Sequence, residues 1–133
     1  MMNTTAKHKQ QGLMIIRIVL CILLLIHGVT RLRLGTVGGF GEFLASNGIP
    51  FGVAVAWFVT VFEITASLIM ASGRLVAPIA GVFACIYSCG IWLVHWSQGW
   101  FVVGPGTGGM EYSVLIIGCL LGLVWAHRYE SLR

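Results

Sequence analysis

The chain has 133 residues, 58% of them hydrophobic and 9% charged, with a formal net charge of +4 and a mean hydropathy of +0.94. Soluble domains carry roughly 25% charged residues, so a chain this apolar could not cover its surface in water, and its solvent must be a lipid bilayer. The length suits a single domain over 1–133 and leaves little room for a soluble catalytic domain. The basic residues are scattered, mostly at the ends of apolar runs; this is membrane anchoring, not a nucleic-acid surface.

In chain order, Lys7 and Lys9 precede an apolar run as in a secretory signal. Arg17 interrupts that run, however, and no small-x-small cleavage site closes it before His27–Arg31, so it reads as an uncleaved first span over about 13–32. Residues 33–50 follow. Within them Phe40, Phe43 and Leu44 fall at helical spacing, and Asn47-Gly48 with Pro50 beyond supplies a helix stop. This stretch reads as a short helix on the membrane surface, or else as an ordered loop. The second span covers about 51–72, and Gly73-Arg74 makes a tight hairpin into the third, about 75–96. A glycine-rich, uncharged loop, Ser97–Gly109 with Pro105, leads to the fourth span, about 110–127. Each run meets the roughly 20 residues needed to cross about 30 Å of hydrocarbon as a helix. The expected fold is an all-α membrane protein: an antiparallel four-transmembrane-helix bundle with a short surface helix between spans one and two.

Lysine and arginine set the orientation. One side would hold Lys7, Lys9, Arg17, Arg74, Arg128 and Arg133, and the other Arg31 and Arg33. This places both termini on the cytoplasmic side of a bacterial-type inner membrane. Trp96, Trp100 and Phe101 would then form the outer aromatic belt, and Trp125 would mark the inner one.

Ionisable groups inside lipid are costly, and each is a candidate for function. Glu63 lies mid-span and shares a face with Gly52, Ala56, Thr60 and Ser67, a small stripe suited to close helix contact. It therefore points inward and needs a partner, for which Arg17 is the candidate; the alternative to a functional role is a buried ion pair that fixes helix register. His27, Arg31, His95 and Glu111 come from three spans and lie in one outer layer by depth, where they would bind a polar head group, relay protons or ligate a metal. The alternative for each is an ordinary boundary residue, and His27 is turned away from the Arg17–Cys21–Gly28 stripe.

Cys21, Cys85, Cys89 and Cys119 all lie in apolar runs and none in a CxxC pattern, so a thioredoxin-type centre is not indicated. Cys85, Ser88, Cys89, Trp92 and His95 share a face. The two cysteines read as small packing residues before they read as soft-metal ligands, and no metal site is assigned. His27 and His95 would suit a bis-His haem by depth, but only one such pair exists and no small-residue groove surrounds it. Gly118 and Gly122 form a GxxxG pair expected to pack inside the bundle.

Several pieces, in order, resemble the DoxX family of small four-helix membrane proteins. These are Arg17 with the His27–Leu32 segment HGVTRL, Gly48-Ile49-Pro50, Glu63, Gly73-Arg74, His95 and Glu111. Arg31 stands where a lysine is common, which preserves the charge. The resemblance runs from about Leu13 to Trp125 and implies a membrane component tied to redox chemistry. The expectation is a redox-associated subunit binding a quinone-like lipophilic ligand. His27 and His95 would bond its carbonyl oxygens, Glu63 or Glu111 would handle protons, and a partner protein would supply electrons. The alternative is a non-enzymatic scaffold or small transport module that docks a partner through its outer loops.

Overall fold

A computed structural model describes residues 4–128; Arg133, counted above for orientation, lies outside the described residues. All regular elements among the described residues are helical: α1 (Thr4–Arg33), α2 (Val37–Ser46), α3 (Gly52–Ala71), α4 (Val76–Gly90) and α5 (Glu111–His127). A π-helical turn, Ile91–His95, and a 3-10 turn, Trp96–Gln98, extend α4. Three helical runs, Thr4–Arg33, Gly52–Ala71 and Val76–Gln98, are long and apolar enough to cross a membrane, and Glu111–His127 is a shorter apolar helix. The chain divides at Arg74–Leu75 into two compact units.

In the first unit, α3 packs against both α1 and α2. The three helices end alike. Gly35, Gly48 and Gly73 adopt positive φ, and in each case the next residue's N–H bonds a carbonyl five residues back: Thr36 to Arg31, Ile49 to Leu44, and Arg74 to Ile69. This satisfies carbonyls that a helix end leaves orphaned, which matters most where water is scarce. The buried face of α1 is Leu20, Cys21, Leu24 and Gly28. That of α3 is Gly52, Ala56, Val59, Thr60, Glu63, Ala66, Ser67 and Met70, which contains the whole stripe read from the sequence.

Three glycines set how closely these helices approach. A Cβ on Gly28 would stand 2.9 Å from Ile64 Cγ1, 3.0 Å from Glu63 Cβ and 3.1 Å from the Thr60 carbonyl oxygen. Gly41 of α2 lies against Val53, and a Cβ on Gly52 would run into the Gly41 carbonyl oxygen and the Ala45 nitrogen. Gly28 meets Thr60–Ile64 while Arg17 meets Gly73, so α1 and α3 run in opposite directions. Large side chains such as Ile15, Ile22, Ile26, Phe58 and Leu68 remain exposed around this core. That is the pattern of a surface solvated by lipid.

In the second unit α4 packs on α5. The buried face of α4 is Val76, Ala77, Ile79, Ala80, Phe83 and Ala84, and that of α5 is Ser113, Leu120 and Leu123. Two expectations are corrected here. Among the described residues no heavy atom lies within 4 Å of a Cβ built on Gly118 or Gly122, so the GxxxG pair does not form the α4–α5 contact of this unit. The larger Leu120 and Leu123 take the buried side of α5, which leaves the glycines on the other. Likewise Cys85, Ser88 and Cys89 are exposed, because the Ala80–Phe83–Ala84 face buries more surface and sets the rotation of α4.

Candidate functional site

The centre of the first unit is an ion pair. Arg31 Nη1 donates to Glu63 Oε2 at 2.7 Å and to Thr60 Oγ1 at 3.1 Å, and the guanidinium lies over the Phe40 ring, 4.5 Å from its centroid. Arg31 thereby joins α1, α2 and α3 at one point. The Thr60 hydroxyl donates to the Ala56 carbonyl oxygen, 2.8 Å away, which leaves its oxygen lone pairs for Arg31. The Glu63 side chain is 4% accessible and that of Arg31 is 19%, so the pair is closed on the Glu63 side and open on the Arg31 side. Among the described residues, Arg31 Nε and Nη2 have no hydrogen-bond acceptor. Three N–H groups of a guanidinium fork are therefore unspent on its accessible side.

Glu63 was expected to pair with Arg17, and this is corrected: its partner is Arg31. The register explains why. Gly28 sits at Glu63, and Arg31, one helical turn further on, comes level with Thr60 and Glu63. Arg17 is about 21 Å away along α1 at 1.5 Å per residue. Its guanidinium instead lies against Gly73, with Nη2 3.4 Å and Nη1 3.5 Å from where a Cβ would stand.

The four residues of the expected outer layer divide between the units. His27, one turn before Arg31, is exposed on α1, away from the buried stripe as the sequence suggested. In the second unit His95 Nδ1 stands 2.7 Å from the Gly108 carbonyl oxygen. A carbonyl only accepts, so Nδ1 carries the proton and donates it. Glu111 Oε1 accepts from the Val102 N–H at 2.9 Å. Both side chains thus fasten the loop between α4 and α5. Its two ends also pair with each other: the N–H groups of Gly109, Met110 and Glu111 donate to the carbonyls of Phe101, Gly99 and Trp100. The π turn re-aims His95, since an i→i+5 turn displaces the helix face from its α-helical course. Among the described residues, no group of three or more His, Cys, Asp or Glu is placed to hold a metal ion.

A family model described as DoxX matches residues 12–96, more than half of the chain. The chain belongs to the DoxX family. No curated protein and no solved structure matches it. The DoxX match contains Arg17, His27, Gly28, Arg31, Glu63 and His95, and so the entire Arg31–Glu63 centre. It ends at Trp96, so Glu111 and α5, which the sequence likeness also took in, fall beyond it. Sequence reasoning missed Gly28 as the crossing point and Thr60 and Phe40 as partners of Arg31. The available signal was the small residue Gly28 one turn before an arginine, opposite a stripe of equally small residues.

Proposed function

We propose that this chain is a redox-associated membrane subunit, a single four-span domain of the inner membrane with both termini cytoplasmic, and that it holds the polar head of a quinone-like lipophilic ligand at Arg31. The observation that carries the reading is the half-spent guanidinium. Glu63 and Thr60 use one nitrogen of Arg31 and Phe40 covers a face, leaving three directed donors on the accessible side. A ligand carbonyl oxygen matches such donors, and hydrogen bonds to a charged group contribute about 1.5–3 kcal/mol each. Glu63 orients the fork and balances its charge. Exposed His27, one turn away on α1, is a second polar contact. A quinone supplies two-electron, two-proton chemistry when bound; a partner protein supplies the electrons.

The test is binding. In nanodiscs, a short-chain quinone should quench tryptophan fluorescence saturably, and Arg31→Gln should weaken it about tenfold, the loss of one charge-assisted bond. Arg33→Gln should leave binding unchanged. Equal binding by both variants would remove the ligand from Arg31. For topology, engineered cysteines in residues 97–109 should react with an impermeant probe from outside intact cells; reaction from the cytoplasm alone would reverse the orientation.

The second reading, a non-enzymatic scaffold, is favoured by the fastened 97–109 loop. A loop held by His95, Glu111 and its own paired ends offers a fixed docking surface. Absence of quinone binding together with loop-dependent capture of a defined membrane partner would select it.

A further inference from the structure

We propose that Arg17, at the turn between α3 and α4, binds the phosphate of an anionic lipid headgroup. Arg17 is about one turn inside the first apolar run, and its Nε is buried with no hydrogen-bond partner among the described residues. Among the described residues its guanidinium has neither an ion-pair nor a hydrogen-bond partner. A cation at this depth requires a counter-charge, and the chain has few to offer. It contains four acidic residues: Glu42, Glu63, Glu111 and Glu130. Glu63 is held by Arg31, and Glu111 is bonded to Val102. Glu42 lies on α2 beside Phe43, on the helix that meets the opposite end of α1 through Phe40 and Arg31. Glu130 lies outside the described residues.

The local backbone supplies only part of what Arg17 needs. The guanidinium rests on Gly73, just past the end of α3, where the helix dipole presents roughly half a negative charge. The carbonyls of Leu68, Ile69 and Met70 each already accept a backbone bond, from Ser72, Arg74 and Gly73, and among the described residues no carbonyl at this turn is bonded to the Arg17 guanidinium. Arg74, exposed on the same turn, adds a second cation. Two arginines at one turn, with no carboxylate between them among the described residues, match a phosphodiester, which takes a guanidinium fork bidentately. The source is lipid because exposed Ile15, Ile16, Ile18 and Val19 surround Arg17 on α1. That apolar collar sets Arg17 at the edge of the hydrocarbon, from which its long side chain reaches headgroup level, and the exposed polar segment 4–12 with Lys7 and Lys9 continues beyond it.

The experiment uses the full chain in neutral detergent, with native mass spectrometry and thermal unfolding read during titration with phosphatidylglycerol or phosphatidylcholine. The wild type is expected to retain phosphatidylglycerol and be stabilised by it, with no such effect from phosphatidylcholine. Arg17→Gln should weaken the anionic lipid about tenfold, and Arg17→Lys should keep part of the binding. Equal retention of both lipids, or undiminished phosphatidylglycerol binding by Arg17→Gln, overturns the proposal. Inorganic phosphate given alone should not stabilise the protein; if it does so as well as the lipid, the lipid assignment falls. A rise in lipid binding on Glu130→Gln would mean that the chain supplies its own counter-ion, which also overturns it. Should Arg17→Gln fail to fold, Arg74→Gln decides: weakened retention supports a phosphate at this turn, and full retention excludes one.

Discussion

Glu63 and Glu111 are both carboxylates in an apolar helical chain, and their surroundings make them different objects. Glu63 is buried mid-helix and bonded to a guanidinium from another helix. Glu111 opens α5, is partly exposed, and accepts from a backbone N–H nine residues away. The first joins elements distant in sequence; the second closes a loop onto its own helix. Depth by hydropathy did not separate these roles. What separates them is whether a second helix presents a complementary side chain at the same level, and that depends on register.

The largest effect should come from breaking the Arg31–Glu63 pair. Removing one member of a buried pair costs roughly 3–5 kcal/mol, because the other remains buried and unmatched. Arg31 is partly accessible and can rehydrate, so Glu63→Ala belongs near the lower end of that range. The double replacement Arg31→Met with Glu63→Leu should recover most of the loss. Unfolding in mild detergent measures both, and a double variant no better than the single would mean that the pair is not the term being lost. Glu111→Gln, set beside Glu63→Gln, should cost far less.

A smaller pair of effects, opposite in sign, separates the glycines. Gly28→Ala forces a Cβ into the Thr60–Ile64 backbone and side chains; overpacking of this kind costs about 1–3 kcal/mol. Gly118→Ala and Gly122→Ala meet open space and should be neutral, or stabilising by up to about 1 kcal/mol through helix propensity. Destabilisation at Gly118 equal to that at Gly28 would indicate that something covers the α5 face in the membrane.

Much of this fold was legible in the sequence. The helical runs begin and end within a few residues of the apolar runs, apart from α1, which extends back to Thr4. The Asn47-Gly48 and Gly73-Arg74 stops are helix ends, and the Gly52–Ala56–Thr60–Glu63–Ser67 stripe is buried. Partner choice was not legible. Span boundaries taken from hydropathy put Glu63 level with the middle of span one, nearer Arg17 than Arg31. The actual register slides α3 by about two helical turns, because α2 occupies the corner and Gly41 and Gly52 let it press close to the start of α3. Which faces of α4 and α5 meet each other was not legible for a related reason. Small residues allow close contact but do not require it, and where Leu120, Leu123 and Phe83 compete for the same burial, the larger apolar surface prevails.

The smallest effects concern the loop of the second unit. His95 and Glu111 each contribute one hydrogen bond to the 97–109 backbone; a bond of this type is worth about 0.5–1.5 kcal/mol net, so His95→Ala and Glu111→Gln should barely move global unfolding. Local order is where they should register. With His95 removed, Gly108 loses its donor, and with Glu111 neutralised, the Val102 N–H keeps only a weaker acceptor. Amide hydrogens of residues 99–110 should then exchange faster than in the wild type, while those of α4 and α5 hold their protection. The double variant should open the loop further than either single one, since both bonds act on the same short segment and its paired ends. Unchanged exchange in the double variant would show that the Gly99–Phe101 and Gly109–Glu111 backbone pairing holds the loop without help from either side chain.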